Sequence, residues 1–197
     1  MWTYKTPGIP DELFLQSDNV PGPTKEEIRV ITISKARLKE GFYVVDVGCG
    51  TGGLTVETAL QVGQTGRVFA IDENDEAVKL TTSNVAKFDA QDIVKVMKGK
   101  APEALAELPT VDVVIIGGTK NLREIIPAAY SKLKEHGRIV VNAILLETGC
   151  VALEEIKKAG FVEIDVTQIN AAKGKVIDSG TMMLARNPIT IISATKA

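Results

Sequence analysis

The sequence predicts an α/β fold with a doubly wound, mostly parallel sheet of seven strands that ends in an antiparallel hairpin. Short apolar runs alternate with segments of helical periodicity between residues 42 and 159. A glycine-rich turn joins the first apolar run to the helix that follows it. Two strand-like segments with no helix between them come near the end of the chain. Strands that alternate with helices build a parallel sheet covered on both faces, whereas the last pair indicates an antiparallel edge.

The predicted elements follow one another along the chain. Residues 1–23, rich in proline and glycine, form an extended arm before a helix from Thr24 to about Leu38. Thr24 followed three residues later by Glu27 fits a capping box at the start of that helix. Strands are expected at 42–47, 67–72, 92–97, 111–117, 138–144, 161–170 and 181–186. Helices are expected from the glycine turn to Val62, from Asn74 to Phe88, near 102–108, at 121–135 and at 147–159.

Composition limits the classes of function. With 197 residues, the chain is long enough for a single domain over residues 1–197. A net charge of −2 gives no overall basic field, so we expect no nucleic-acid partner. The apolar runs are far shorter than the roughly 20 residues of a membrane span, and the N-terminus lacks a signal-peptide core, so we expect a cytoplasmic protein. Cys49 and Cys150 have no partners at metal-ligand spacing, so we expect free thiols and no metal site.

The turn after the first strand, VVDVGCGTGG over residues 44–53, has two possible registers. Gly48, Gly50 and Gly53 fit the G-x-G-x-x-G pattern of dinucleotide sites. Gly48, Gly50 and Gly52 fit the G-x-G-x-G pattern of S-adenosylmethionine sites. Glycine tolerates positive φ angles and lets a ligand approach the backbone, and the helix start offers free N–H groups. These properties serve both ligands, so the loop alone separates the two registers poorly.

Two carboxylates near the loop help to choose the register. Asp46 lies two residues before the first glycine, where it would repel a pyrophosphate and attract the cationic groups of S-adenosylmethionine. Asp72, at the end of the second strand, suits the ribose hydroxyls of either ligand. We therefore favour the G-x-G-x-G register, with Gly53 as the first residue of the helix. The alternative role for Asp46 is a hydrogen bond that supports the turn.

Other stretches of the chain give weaker indications. Gly117 and Gly118 lie at the carboxyl end of the fourth strand, where sheets of this kind bind ligands. Many nitrogen methyltransferases have an Asn/Asp-Pro-Pro-aromatic motif at this place, and the sequence lacks it. His136 is expected to complement the dipole at a helix end rather than to act in catalysis. No pattern identifies a catalytic side chain. Cations near this edge of the sheet suit the carboxylates of a ligand: Lys120, Arg123, Lys173, Lys175 and Arg186.

Several stretches of the chain together resemble one family. They are VPGPT at 20–24, the glycine loop, KAPEAL at 100–105, AILLET at 143–148 and DSGTMMLARNP at 178–188. The chain closely resembles the decarboxylating cobalt-precorrin-6B carbon-15 methyltransferases of anaerobic cobalamin biosynthesis. The resemblance covers about residues 10–190. Many methyltransferases share the glycine loop, whereas the PGPT and GTMMLARNP stretches are much more specific.

The resemblance implies a class I, Rossmann-like methyltransferase that uses S-adenosylmethionine as methyl donor. It implies methylation of carbon 15 of a tetrapyrrole, cobalt-precorrin-6B, with decarboxylation of the ring C acetate to give cobalt-precorrin-7, in a homotetrameric enzyme. Lys100 departs from the family, which commonly has an acidic residue there, so an adenine contact through that side chain is in doubt. By resemblance, the cofactor contacts are Thr24, Gly48, Cys49, Gly50, Thr51, Gly52, Asp72 and Ala101.

Two other classes of function stay open at this point. One is an S-adenosylmethionine-dependent methyltransferase for RNA or protein, although the chain offers neither an added domain nor a basic bias. The other is a non-enzymatic module that binds S-adenosylmethionine. Asn142 and Glu147, just after the fifth strand, are hypothesised to orient a tetrapyrrole ring or to move a proton, or else to bond within a helix start or loop.

Overall fold

The structure, a computed structural model, describes residues 2–118 and 120–197. None of the helices in these residues is both long and apolar enough to cross a membrane. The strands are β1 (Tyr43–Val47), β2 (Arg67–Asp72), β3 (Val94–Lys98), β4 (Val111–Gly117), β5 (Leu133–Ala143), β6 (Val162–Ile169), β7 (Ala172–Ile177), β8 (Gly180–Ala185) and β9 (Ile189–Thr195). The helices are α1 (Glu26–Ala36), α2 (Gly53–Val62), α3 (Asp75–Lys87), α4 (Glu103–Ala106), α5 (Leu122–Lys132) and α6 (Leu146–Lys158).

The main sheet has seven strands in the order β3-β2-β1-β4-β5-β9-β6. Strands β1 to β5 are parallel, and β9 runs antiparallel to both of its neighbours. The predicted doubly wound sheet is therefore confirmed. The chain moves outward from β1 to β3 and then returns to place β4 on the other side of β1. This reversal of strand order leaves a crevice at the carboxyl ends of β1 and β4, where open α/β sheets bind their ligands.

The central strands are buried on both faces because helices cover both sides of the sheet. Val44 and Val113 belong to one apolar cluster, together with residues of α1, α2 and α3. Val45 and Val114, the next residue in each strand, belong to the second cluster with residues of α4, α5 and α6. Successive side chains of a strand point to opposite faces, which explains why these strands read as continuous apolar runs.

The C-terminal strands pair differently from the prediction. Residues 161–170 and 181–186 were expected to form one antiparallel hairpin, but β6 pairs with β9 instead. Strand β8 pairs with β7 in a separate two-stranded sheet, and the predicted turn at 178–180 joins these two strands. Sequence reasoning missed β9, although most of its residues are β-branched and most are buried. It also missed β7, since a strand with alternate lysines and a glycine has little apolar pattern.

The start of α1 also differs from the prediction. The N-cap residue is Lys25, not Thr24, and no side chain of the predicted capping box caps the helix. The backbone N–H of Glu26 donates instead to Asp11 Oδ1 at 2.9 Å. A carboxylate there also complements the helix dipole. The cap thus comes from the N-terminal arm, a long-range partner that a local sequence pattern does not reveal.

Two further helix ends were predicted with different success. Asn74 caps α3 as expected, because its side chain accepts from the N–H groups of Glu76 and Ala77. The helix expected at 121–135 ends at Lys132, where β5 begins almost at once. His136 therefore lies in β5 with a φ angle of +62°, and its predicted place at a helix end is wrong.

A buried arginine fastens the N-terminal arm to the body of the protein. Arg29 of α1 is fully buried and donates from Nη1 to Asp11 Oδ1 at 2.7 Å and from Nε to Glu57 Oε1 at 2.8 Å. Glu57 of α2 also accepts from the backbone N–H groups of Gly8 and Ile9, at 2.9 and 3.0 Å. One guanidinium therefore holds the arm, α1 and α2 together, and the end of the arm reaches the crevice.

Candidate functional site

The crevice at the carboxyl edge of the sheet contains two adjoining cavities. The first, here the loop cavity, has a volume of about 520 Å³ and is walled by the β1–α2 loop, the ends of β2 and β4, and residues 20–24. The second, here the hairpin cavity, has a volume of about 870 Å³ and lies between the start of α1, the ends of β4 and β5, the start of α6 and the base of the β7–β8 hairpin. Thr24, Gly117 and Lys120 are among the residues that line both.

All but one of the predicted contact residues line the loop cavity. These are Thr24, Gly48, Cys49, Gly50, Thr51, Asp72 and Ala101. Gly52 is the exception, because its N–H donates to Cys49 O at 2.8 Å and it packs against α3. A Cβ at Gly52 would lie 2.9 Å from Thr81 Cγ2. Gly52 therefore shapes the loop without facing the cavity. Lys100, the departure from the family pattern, lines the cavity beside Ala101.

Backbone geometry separates the two registers of the glycine loop. Gly48, Gly50 and Gly52 have φ angles of +77°, +55° and +80°, which side chains rarely tolerate. Gly53 has no positive φ and is the first residue of α2, as expected. The G-x-G-x-G register therefore coincides with the backbone requirement. Gly48 meets a second constraint, since a Cβ there would lie 2.3 Å from Gly117 O at the end of β4.

Asp72 and Asp46 have different roles in the loop cavity. Asp72 Oδ2 accepts from Gly50 N at 3.0 Å, and its Oδ1 accepts from Asn74 N at 2.9 Å, so this carboxylate orders the loop and the start of α3. Asp46 is 1% exposed and accepts a hydrogen bond from Thr55 of α2 at 2.5 Å. Burial raises the pKa of Asp46 to about 6, the Thr55 hydrogen bond opposes that rise, and the Asp72 charge adds to it. Asp46 thus supports the turn and also faces the cavity.

Cys49 is an unsuitable nucleophile in spite of its place in the loop. Burial, with the nearby charge of Asp46, raises the pKa of the Cys49 thiol to about 12. The thiol is therefore protonated at neutral pH, and only the thiolate form is nucleophilic. Cys49 acts as a small residue that packs beside Thr81.

The hairpin cavity combines apolar walls with a few polar groups. Its apolar residues include Ile28, Leu122, Leu145 and Val151. Asn142 and Glu147, both hypothesised from the sequence, line it as well. Within the described residues, the buried Nδ2 of Asn142 has no hydrogen-bond partner. A cavity of this size and mixed lining suits a large organic ligand with a small number of directed polar contacts.

The structure divides the predicted set of cations. Lys120 and Arg186 line the hairpin cavity. Arg123 instead pairs with Glu155 at 3.0 Å, and Lys173 pairs with Glu26 at 3.1 Å. Neither of these two lines the loop cavity or the hairpin cavity, nor does Lys175 of β7 or the exposed His136. Sequence reasoning missed Lys25, which lines the hairpin cavity and follows the PGPT stretch directly. The sequence signal that could have identified Lys25 is its position directly after the PGPT stretch, which is specific to the family.

Comparison with known proteins identifies the family. A family model described as "Precorrin methyltransferase domain" matches residues 16–196. The chain belongs to the precorrin methyltransferase family. A relative from Saccharolobus solfataricus, named "Probable cobalt-precorrin-6B C(15)-methyltransferase (decarboxylating)", is 46% identical over 197 residues, covering 99% of this chain and 98% of the relative. A relative of the same name from Methanothermobacter thermautotrophicus is 44% identical over 185 residues, covering 93% and 94%.

Solved structures agree with this family. A precorrin 8W decarboxylase from Methanobacterium thermoautotrophicum superimposes with a TM-score of 0.90 and 43% identity, covering 94% of this chain and 98% of that one. A precorrin-6y C5,15-methyltransferase from Geobacter metallireducens gives a TM-score of 0.90 and 35% identity, covering 98% and 100%. The class I fold, the family and the enzyme class predicted for this precorrin methyltransferase are confirmed.

Replacing Gly48 with alanine tests the close approach of β1 and β4. The new Cβ would overlap Gly117 O in a backbone with positive φ, so we expect Gly48→Ala to lower the free energy of unfolding by about 2–4 kcal/mol. Gly22→Ala is the matched control, since Gly22 lines the same cavity and has nothing within 4 Å of an added Cβ. Urea denaturation measures both variants. Equal stabilities of the two would contradict the steric argument.

The raised pKa of Asp46 predicts a pH dependence of stability. The carboxyl of Asp46 binds its proton more tightly in the folded protein than in the unfolded chain. Its contribution to the free energy of unfolding is therefore complete below pH 3.8 and is lost as pH rises through about 6. We expect Asp46→Asn to lack this loss and to be more stable than the native protein above pH 6, by about 3 kcal/mol. Thermal unfolding of both proteins without ligand, from pH 4 to 8, measures the difference. Parallel pH profiles would rule out a titrating Asp46.

Proposed function

We propose that this precorrin methyltransferase transfers a methyl group from S-adenosylmethionine to carbon 15 of cobalt-precorrin-6B and decarboxylates the ring C acetate, giving cobalt-precorrin-7. The observation that carries the proposal is the junction of the two cavities at Gly117. A methyl donor in the loop cavity and a tetrapyrrole in the hairpin cavity would meet there, beside the glycine backbone that lines both cavities. The names of the relatives supply the particular substrate.

The loop cavity fits S-adenosylmethionine better than it fits a dinucleotide. Asp46 is a buried carboxylate without an ion-pair partner in the described chain, and its Oδ1 accepts no hydrogen bond there. Such a group repels a pyrophosphate, whereas the sulfonium and ammonium groups of the methyl donor would compensate its charge. Asp72 keeps acceptor capacity for the ribose hydroxyls, since each carboxylate oxygen has two lone pairs and uses one on the backbone.

The proposed cofactor contacts follow this fit. Thr24, Cys49, Thr51 and the backbone at Gly48 and Gly50 would surround the donor, as they line the cavity. Gly52 would act indirectly by shaping the loop. Ala101 is proposed to contact the adenine edge through its backbone, a contact that does not depend on the side chain at position 100. With lysine at position 100, the adenine contact from the acidic residue that the family commonly has there would be absent.

Positioning is the main contribution of the protein to methyl transfer. S-adenosylmethionine, when bound, supplies a methyl group on a positively charged sulfur, so no side chain has to activate it. The glycine loop and the end of β4 would fix the direction in which the methyl group approaches the tetrapyrrole carbon. Alignment of two reactants lowers the activation barrier by several kcal/mol. The apolar residues Leu122, Leu145 and Val151 would exclude water from the hairpin cavity, which favours loss of a carboxylate as carbon dioxide. The macrocycle itself accepts the released electron pair.

The alternative functions fit the cavities less well. A methyltransferase for RNA or protein needs an open, charged docking surface, whereas the net charge is −2 and the second cavity has mainly apolar walls. A non-enzymatic S-adenosylmethionine module would have no use for that second cavity.

Product analysis tests the activity. Native protein is incubated with cobalt-precorrin-6B and methyl-labelled S-adenosylmethionine, and the product mass is measured. We expect a tetrapyrrole heavier by one methyl group and lighter by carbon dioxide, formed only when both reactants are present. Labelling of RNA or protein in its place, or binding of the donor without any turnover, would overturn the proposal in favour of one of the alternatives.

We also propose a cytoplasmic homotetramer in which the β7–β8 hairpins form subunit contacts. The hairpin exposes several large apolar side chains, a pattern that marks interaction surfaces: Val176, Ile177, Met182, Met183 and Leu184. Light scattering should give about four times the chain mass of 21.1 kDa. The double variant Val176→Glu and Met183→Glu should dissociate it. A native mass of one chain would contradict the proposed assembly.

A further inference from the structure

Two cations of the hairpin cavity converge on one buried carboxylate. Arg186, just after β8, donates from Nη1 to Asp11 Oδ2 at 3.1 Å, and Lys25 Nζ lies 3.7 Å from the same oxygen. Both cations line the cavity, whereas Asp11 does not. The side chain of Asp11 is only 7% exposed, so it holds the two cations from behind the cavity wall. The two side chains come from opposite ends of the sequence, and their meeting at Asp11 is a property of the fold.

Asp11 is a fixed support because its other oxygen is fully used. Asp11 Oδ1 accepts from Arg29 Nη1 at 2.7 Å and from Glu26 N at 2.9 Å. Burial alone would raise the pKa of Asp11, but the hydrogen bonds from Arg29 and Arg186 outweigh it and hold the pKa below its ordinary range. Asp11 is therefore ionised at neutral pH. Its carboxylate fixes where the two cations stand.

Both cations keep hydrogen-bond donors that the protein does not use. Arg186 approaches Asp11 and Glu27 through Nη1, at 3.1 and 3.5 Å. Within the described residues its Nε and Nη2 have no partner, and this edge of a guanidinium matches a carboxylate in a bidentate fashion. The separation of Lys25 from Asp11 is too long for a hydrogen bond, and among the described residues the ammonium group of Lys25 donates to none, so it can donate to a ligand.

The charges on the wall of the hairpin cavity also favour a ligand with carboxylate groups. The charged residues lining the hairpin cavity are the cations Lys25, Lys120 and Arg186 and the single carboxylate Glu147. Glu27 and Asp11 offset part of the charge of Arg186 from behind. The wall that a ligand meets nevertheless has more cations than carboxylates. A ligand with several carboxylate side chains complements such a wall.

We infer that Lys25 and Arg186, supported by Asp11, form a clamp for a carboxylate side chain that the tetrapyrrole keeps through the reaction. The inference rests on the proposed function for the identity of the substrate. Two cations bound to a carboxylate stabilise its charged form in the ground state, which would slow its loss as carbon dioxide. The clamp is therefore a specificity site that orients the macrocycle, and the acetate that is lost binds elsewhere in the cavity.

Binding of a stable probe tests the clamp without turnover. Uroporphyrin III, a tetrapyrrole with carboxylate side chains, is titrated into the native protein and its fluorescence is recorded at several salt concentrations. We expect Lys25→Gln and Arg186→Gln each to weaken binding roughly 10-fold or more and to reduce its salt dependence. Arg186→Lys should lose part of the affinity, because it keeps the charge and loses the planar fork. Lys175→Gln, which removes the same charge from β7 outside the cavity, should bind like the native protein.

Kinetics with cobalt-precorrin-6B test the assignment to a retained carboxylate. We expect both Gln variants to raise KM, to change kcat little, and to release one carbon dioxide for each methyl group transferred. Unchanged KM and unchanged probe affinity in Lys25→Gln, whose side chain is 46% exposed, would overturn the clamp. A fall in kcat at unchanged KM would overturn the retained carboxylate. Cation-dependent probe binding by a native protein that does not turn over cobalt-precorrin-6B would support the clamp and refute only the proposed function.

Discussion

The buried guanidinium of Arg29 is the interaction on which the placement of both cavities depends. It joins Asp11 of the arm to Glu57 of α2, and Glu57 in turn holds the backbone of Gly8 and Ile9. Buried charges of this kind are stable only as a complete set, since removing one partner of such a pair costs about 3–5 kcal/mol. The set fixes where the arm ends, and residues 20–24 then wall the loop cavity. The buried Arg29 side chain also explains why residue 53 is a glycine, since a Cβ there would lie 3.2 Å from Arg29 Cδ.

The contact between Gly48 and Gly117 makes the two cavities neighbours. No side chain fits between β1 and β4 at this point, and Gly117 lines both cavities together with Thr24 and Lys120. Because the cavities adjoin here, a donor bound in one would lie next to an acceptor bound in the other. The same region holds Asp46, whose burial without a cation lowers the stability of the ligand-free protein at neutral pH. A destabilising buried carboxylate is typical of a functional site, where local rules are broken for binding.

Sequence patterns predicted the features that depend on neighbours in the chain. The βα alternation, the glycine register, Asn74 as a cap and Asp72 at the end of β2 all follow from local spacing. The features that were missed depend on residues far apart in sequence. Asp11 caps α1 in place of Thr24, β9 separates β6 from β5, and Lys25 and Arg186 both approach Asp11. Local periodicity gives no information about contacts between residues so far apart in sequence. The resemblance to a family indicated which residues contact the cofactor, but it did not indicate these long-range contacts.

Asp11 and Asp46 respond to pH in opposite directions, and their combination suits a site that binds a cation at neutral pH. The pKa of Asp11 is lowered, so the contribution of Asp11 to stability is present above its unfolded pKa and is lost as pH falls through its folded pKa. The pKa of Asp46 is raised to about 6, so this carboxyl becomes charged only as pH approaches neutrality. Above pH 6 the arm is therefore fastened by an ionised Asp11 while Asp46 presents its charge to the loop cavity. The cost of ionising Asp46 falls on the ligand-free protein, and a cationic ligand would recover it on binding. The rigid Asp11 network thus fixes the arm whose last residues wall the loop cavity, and Asp46 presents its buried charge to that same cavity.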